Sequence, residues 1–510
     1  MRTRKAILNT CSSIVYQFVT VICSFILPRL ILTAFGSNYN GVVSSINQFL
    51  SWISVLSAGI GGVTRAALYR PLSECDTKQI SSIMKATDIF MKKIATIFVV
   101  LLLVFGSVYP CVVRNDFDFF FVFTLVLVLG ISTFAQYYFG ITYQTLLEAD
   151  QRQYIFVVVR IVTTIVATAV AAILISYECE IRIVYLASSI VYAINPIYLN
   201  IFVKKYYQLD SSVAPDNRTV IQRWDAFAQE LAIMINNNTD IIVLTTFSNI
   251  KIVSVYTIYN MIINGVKQML QTFTTGVGAA FGSMIAQGAE NDYLDKTLRI
   301  FEFVVFNITT ILFTITALTI VPFVKIYVRG ITDVEYSQWT FGYLITLAAM
   351  FNCFRIPYQT IVYAAGKFKE TRNGSIIEAS INIVLSIILV IEYGLVGVAI
   401  GTLVAAIFRT CQYAVYLSRK IIIRSRYVFM KNIVISMTVW VCNVLLLSKI
   451  LSYCENPTNY IEWISTAIEV GTIVVIQMII LDIFFFRQQF RGLLGMIKKQ
   501  RPCEMRKDAQ

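Results

Sequence analysis

The chain has no histidine among its 510 residues, and only 14% of them are charged. Without histidine the commonest general base and metal ligand is missing, so neither a metal nor an organic cofactor is expected. The charged fraction lies well below the roughly 25% of soluble chains, which excludes an ordinary soluble domain. Paired cysteines are absent too: the 10 present are scattered in or beside apolar runs, at no metal-site or redox spacing, and read as small packing residues. Large polar loops are also missing from one side of the chain. Only 452–463 and 330–339 offer room there, and neither holds the carboxylate pair that a membrane glycosyltransferase would need. The chain is therefore not expected to be an enzyme.

What the sequence has instead is apolar length, with 57% of its residues hydrophobic. A span needs about 20 such residues to cross a hydrocarbon core of roughly 30 Å. Fourteen runs meet that need: 7–34, 41–66, 94–113, 119–145, 154–176, 183–203, 226–248, 254–284, 300–326, 339–364, 374–393, 395–418, 431–451 and 463–486. The expected fold class is an all-α polytopic membrane protein of about 14 transmembrane helices. The net charge of +13 is distributed by side. With a cytosolic N-terminus, thirty of the 42 Lys and Arg fall on inner segments, while outer loops hold only Arg114, Arg182, Lys251, Arg329 and Lys449. That asymmetry places both termini in the cytosol and makes basicity an orientation signal, with no nucleic acid implied. The first run, after Arg2, Arg4 and Lys5, is too long for a signal-peptide core and reads as an uncleaved helix.

The sequence also repeats itself. Gly59 and Gly61, in Ser57–Gly62 (SAGIGG), align with Gly276 and Gly278 at an offset of 217, and Asn47 aligns with Asn264 at the same offset. Leu32-Thr33-Ala34-Phe35 matches Leu244-Thr245-Thr246-Phe247 at 212, and Tyr143-Gln144-Thr145 matches Tyr358-Gln359-Thr360 at 215. Ordered anchors at a near-constant offset point to duplication. Six runs per half is an even number, so the halves run parallel, and the natural place for a substrate is between them. The expected organisation is an N-terminal lobe at 1–203, a cytosolic linker at 204–225 and a C-terminal lobe at 226–418. An extra helix pair at 431–486 and a basic tail at 487–510, resting on anionic lipid, complete it. Segment 67–93, with Ile80, Ile83, Met84 and Ile89 among charges, is expected to lie along the inner face.

Seven cations remain, and they sit inside the runs. A cation at the bilayer centre costs roughly 2.5–3.5 kcal/mol, so one that persists faces a cavity or a partner. Arg29 follows Pro28 in the first run, and Arg355 stands beside Pro357 in the tenth. Lys267 shares one helix face with Asn260, Asn264 and Gln271, as Asn47 shares one with Ser51 and Ser54. The reading is a cationic, water-filled cavity that grips a phosphate or diphosphate through Arg29, Arg65, Lys267 and Arg355, with Asn47 and Asn264 on its polar stripes. The same cations would equally fix helix packing by pairing with intramembrane carboxylates, and that alternative stays open here. Arg65 is near enough to the inner end to snorkel, Arg160 and Lys325 read as snorkelling, and Arg409 is left unassigned. Asp240 and Glu378 are candidates for binding a coupling proton or sodium ion, or for partnering an arginine.

The run from Leu27-Pro28-Arg29 through SAGIGG to Tyr69-Arg70-Pro71-Leu72, with two six-helix halves and an extra pair, resembles the polysaccharide transporter branch of the MOP exporter superfamily. That branch includes the O-antigen and capsule repeat-unit flippases and is related to the lipid II flippases. The resemblance implies a bacterial inner-membrane flippase that moves an undecaprenyl-diphosphate-linked oligosaccharide by alternating access. It implies as partners membrane lipids, a polysaccharide polymerase and chain-length machinery, with the chain itself a monomer. Cavity cations of the lipid II relatives would map to Arg29, Arg65 and Lys267, the last a lysine where an arginine is expected. The alternatives are a lipid II flippase and a multidrug exporter of cationic compounds. The latter calls for an acidic, aromatic cavity, and an excess of buried cations over buried carboxylates is expected to oppose it.

Overall fold

A computed structural model describes residues 2–54, 60–74, 76–113, 116–207, 209–210, 212–215, 239–274, 277–453 and 457–490. Gly59, Gly276, Arg114, Asn236–Asn238, the linker beyond 215 and the tail beyond 490 lie outside the described residues.

An apolar run in lipid has no water to satisfy its amides, so it closes its hydrogen bonds within a helix. The described elements are accordingly helical: α1 (Arg2–Phe35), α2 (Ser37–Ser54), α3 (Ile60–Glu74), α4 (Thr77–Val112), α5 (Phe119–Ala135), a π-helical turn (Gln136–Gly140), α6 (Ile141–Ala149), α7 (Tyr154–Ser176) and α8 (Ile181–Tyr207). After helical residues at 239–247 come α9 (Ile250–Thr274), α10 (Val277–Ala286), α11 (Asn291–Tyr327), α12 (Trp339–Phe354), α13 (Ile356–Ala364), α14 (Phe368–Lys420), α15 (Tyr427–Tyr453) and α16 (Tyr460–Phe485). Among the described residues, nine stretches are long and apolar enough to cross a membrane. Phe18, Ile22 and Ile26 on α1, like Ile461 and Ile468 on α16, expose large apolar side chains, as a lipid-facing surface does. The chain is a multi-pass, all-α membrane protein.

The expected inner-face helix is not separate. Residues 77–93 form the first half of α4, running straight into the span, with Asp76 capping the helix by accepting the amide of Gln79. Ile80, Ile83 and Met84 are buried against Tyr143, Leu146 and Leu147, so core packing rather than headgroups takes up their apolar face. Runs 374–393 and 395–418 are, as expected, two helices: they are taken together here as α14, but the chain reverses at Gly394, whose φ of +53° and ψ of −125° no L side chain adopts without strain, and the two arms pack side by side, with Gly401 against Ser386 and Gly397 against the Leu389 carbonyl.

Two compact units divide the chain. The first is Met1–Thr257 with Gly330–Val334, and the second is Ile258–Arg329 with Glu335–Gln510. In the first, Asp333 caps α2 by accepting both the amide (2.8 Å) and the hydroxyl (2.6 Å) of Ser37. Asn40 Nδ2 donates to Ser254 Oγ at 2.7 Å, and the hydroxyls of Ser45 and Thr245 meet at 2.8 Å. In the second, α15 and α16 dock on α11 through Leu318, Val439, Val470, Val474 and Met478, and Trp463 Nε1 donates to the Thr319 carbonyl at 3.0 Å.

The sequence repeat reappears as a repeated contact. In the first unit a Cβ on Gly61 would stand 3.9 Å from Thr145 Oγ1, and in the second a Cβ on Gly278 would stand 3.1 Å from Thr360 Cγ2. Both members of each pair are the aligned anchors of the two halves. α6 and α13 each begin 215 residues apart, each after an interruption: the π turn in one case, Arg355 in the other.

Among the described glycines of the first unit, Gly41 makes the tightest backbone approach, since a Cβ there would lie 2.0 Å from the Ile250 carbonyl oxygen. Backbone on both sides must shift to admit it, and overpacking of this kind costs about 1–3 kcal/mol. Gly41→Ala is expected to lower the thermal unfolding temperature of the purified protein by several degrees; an unchanged temperature would mean that this contact does not hold.

Candidate functional site

In the first unit, Arg65 on α3 is paired, its Nη1 2.7 Å from Glu148 Oε2 on α6. Glu148 Oε1 accepts from Gln144 Nε2 at 2.9 Å, and Gln144 Oε1 in turn accepts from Gln136 Nε2 at 3.0 Å and from Arg160 at 3.4 Å. The π turn after α5 carries Gln136 into this chain. Extra residues in such a turn re-aim side chains that a regular helix would place elsewhere. Pro28 and Asn47 line a cavity of about 280 Å³ together with Asn40, Ser188 and Tyr192. Arg29 is half-buried one residue further on, and Asn47 is exposed. Asp240 is buried and accepts the hydroxyl proton of Tyr256 at 2.8 Å.

At the end of the same unit where α1 begins, Asp150 gathers Lys5 Nζ at 3.1 Å, Arg152 Nε at 2.8 Å and Tyr207 Oη at 2.5 Å. Asn9 holds the turn from both sides, donating to the Gln151 carbonyl and accepting from the Tyr154 amide, each at 2.9 Å. These bonds tie the start of α1 to the loop before α7 and the end of α8.

In the second unit, one carboxylate holds two arginines. Glu378 on α14 lies 2.8 Å from Arg355 Nη1 and 3.3 Å from Arg409 Nε. Arg409 is the deeper of the two, with 3% of its side chain exposed against 19% for Arg355. It also donates to the Thr371 carbonyl (2.9 Å), Ser375 (2.5 Å) and Tyr413 (2.8 Å). The cluster keeps one net positive charge, and Arg355 is its accessible side. Lys267 on α9 is half-buried and Asn264 is exposed.

A further pair was not singled out in the sequence. Arg424, in the loop between α14 and α15, forks onto Glu302, with Nη1 2.8 Å from Oε2, and approaches Asp295 at 3.5 Å. Glu302 is fully buried and Arg424 is 2% exposed at its side chain. Burial works against the guanidinium charge, but bonding and attraction to Glu302 prevail and hold its pKa above the ordinary value. Glu302 and Asp482 each stood among apolar residues in runs 300–326 and 463–486, the signal that picked out Glu378.

One expectation is reversed. Among the described residues Asp240, Glu302, Glu378 and Asp482 are buried, while of the seven cations within the runs only Arg409 is. Long basic side chains carry their charge outward along apolar surface, whereas a short carboxylate stays where its backbone puts it. No group of three His, Cys, Asp or Glu among the described residues is arranged to hold a metal ion.

A chain of long helices in two units, with breaks repeated at 215–217 residues and charges paired inside the spans, has the architecture of a polytopic membrane protein. No protein-family model matches it, and no curated protein sequence does. Solved structures do. The lipid II flippase MurJ, in an inward closed conformation, matches 96% of this chain and 100% of its own, with a TM-score of 0.69 at 15% identity. An inward-facing multidrug resistance MATE family transporter matches 78% of this chain and 95% of its own, with a TM-score of 0.60 at 12% identity. A point mutant of the MATE transporter VcmN of Vibrio cholerae matches 82% and 98%, with a TM-score of 0.56 at 14% identity. The chain has the fold that these transporters share.

Removing one partner of a buried ion pair strands the other charge, at a cost of about 3–5 kcal/mol. Glu378→Gln is therefore expected to lower the unfolding temperature steeply by leaving Arg409 without its carboxylate. Arg70→Ala, which removes the exposed Arg70–Glu74 pair, is expected to leave it unchanged. Equal responses in a thermal unfolding comparison would show that the buried cluster does not hold the fold.

Proposed function

We propose that this chain is a flippase that carries an undecaprenyl-diphosphate-linked oligosaccharide from the inner to the outer leaflet of a bacterial cytoplasmic membrane, by alternating access. The reading is carried by one observation: the likeness to the lipid II flippase covers 96% of the chain, against 78% for the inward-facing MATE transporter. Membership of the MOP superfamily is part of the same proposal.

Arg29, Lys267 and Arg355 are the candidate contacts for the diphosphate, Arg355 by exchanging Glu378 for a phosphate oxygen while Arg409 keeps Glu378 balanced. Two guanidinium groups on Glu378 already supply the charge that a proton or sodium ion would bring, so coupling falls to Asp240. The sugars occupy the polar faces of α2 and α9, and the polyprenyl tail stays in lipid. A multidrug exporter remains the second reading because the buried carboxylates outnumber the buried cations among the described residues.

Translocation of a fluorescent undecaprenyl-diphosphate oligosaccharide in proteoliposomes tests this. The parent chain is expected to move lipid, and Arg29→Ala and Lys267→Ala to slow it tenfold or more while eluting as folded protein. Equal rates for all three would make those cations structural; export of cationic dyes without lipid movement would replace the flippase with the multidrug reading.

A further inference from the structure

The first unit contains a second cavity, of about 360 Å³, lined by residues of α1, α5, the π turn, α7 and α8. Among the described residues that line it, Arg160 carries the only formal charge and no carboxylate is present. Among the described residues Arg160 has no acidic partner: it reaches Gln144 at 3.4 Å and stands over the rings of Tyr16 and Phe156 at 5.8 and 5.7 Å. One other lining side chain carries a buried, unpartnered atom: Asn195 is 4% exposed and its Oδ1 has no hydrogen-bond partner, while Thr164, 7% exposed, adds a hydroxyl to the lining.

Each of these facts constrains an occupant. An arginine inside a membrane domain without a carboxylate calls for an anion. A buried amide oxygen without a donor costs about 1–3 kcal/mol until a hydroxyl or amine supplies one. The volume is roughly that of a dozen waters, too large for one halide and at the lower end of the range of small-molecule sites. The rings of Tyr16, Tyr137 and Tyr192 add flat apolar faces to the hydroxyls of Ser132, Thr133 and Thr164. A cationic drug would meet Arg160 with nothing acidic to offset it.

We propose that this cavity binds an anionic, hydroxyl-bearing solute of monosaccharide size, its carboxylate on Arg160 and a hydroxyl donating to Asn195. The inference deepens the flippase reading and rests on it only for the source of the solute, an acidic sugar of the carried headgroup. Gln144 joins the site to the Arg65–Glu148 pair, because its Oε1 accepts from both Arg160 and Gln136 while its Nε2 donates to Glu148. A carboxylate that draws Arg160 away thus loosens one bond of that chain.

The test is binding of glucuronate to the full chain in nanodiscs, read as a saturable rise in unfolding temperature, with glucose and sodium chloride at matched ionic strength as comparisons. Glucuronate is expected to stabilise the parent chain and the two comparisons not to. Arg160→Gln and Asn195→Leu are each expected to weaken the apparent affinity tenfold or more, and Thr164→Val to weaken it in a chain whose charge is unchanged. Lys325→Gln is expected to bind as the parent does. No effect of glucuronate, an equal effect of chloride, or an affinity indifferent to Arg160→Gln and Thr164→Val overturns the proposal. Binding by a chain that moves no lipid in vesicles leaves this site standing and removes the flippase; lipid movement without glucuronate binding does the reverse.

Discussion

A charge held within hydrocarbon must be met by an opposite charge, a dipole or water, and this constraint shapes the polar interior of both units. In the second unit Glu302 is fully buried because Arg424 forks onto it, and Glu378 is buried because Arg355 and Arg409 flank it. In the first, Glu148 is shared between Arg65 and Gln144. Each carboxylate connects helices that are distant in sequence, so the charges that would be costly alone fix which helices pack. Arg424 also fastens the loop between α14 and α15 to α11, the helix on which α15 and α16 rest.

Most of the fold was legible because it follows from apolar length and from repetition. The repeat anchors were sound guides: Gly61 faces Thr145 in one unit, and Gly278 faces Thr360 in the other, so residues matched only by offset prove to be contact partners within each half. The missing interval at residue 394 between two apolar runs marked the break in α14 at Gly394. What periodicity hid was continuity. Segment 77–93 has an amphipathic pattern whether its apolar face meets headgroups or a core, and only the positions of Tyr143, Leu146 and Leu147 decide between them.

The site was legible as a set of residue types and much less as pairs. Arg355 and Glu378 were both picked out, but a separation of 23 residues across a helix break carries no spacing signal that they touch. Arg424 was counted among loop cations that set orientation, and its bond to Glu302, 122 residues away, depends on how the chain folds back. Arg160 was read as snorkelling from its position near a helix end. Its surroundings are a polar cavity lined in part by a π turn that no sequence pattern announced. Counting charges by type also misled: reach along the side chain, rather than identity, determined that carboxylates are the better buried.

These pairings leave cations of uneven accessibility, with Arg409 locked in place and Arg355 within reach of a ligand, on a fold shared with a lipid carrier along nearly its whole length. The central claim is that an anionic, lipid-linked saccharide is what they receive. Native mass spectrometry of the intact chain, extracted from membranes of cells that make such lipids, addresses that claim directly. The account predicts an adduct with the mass of a polyprenyl-diphosphate oligosaccharide that persists when bulk phospholipid is stripped. Retention of cationic organic compounds, or of phospholipid alone, would contradict it.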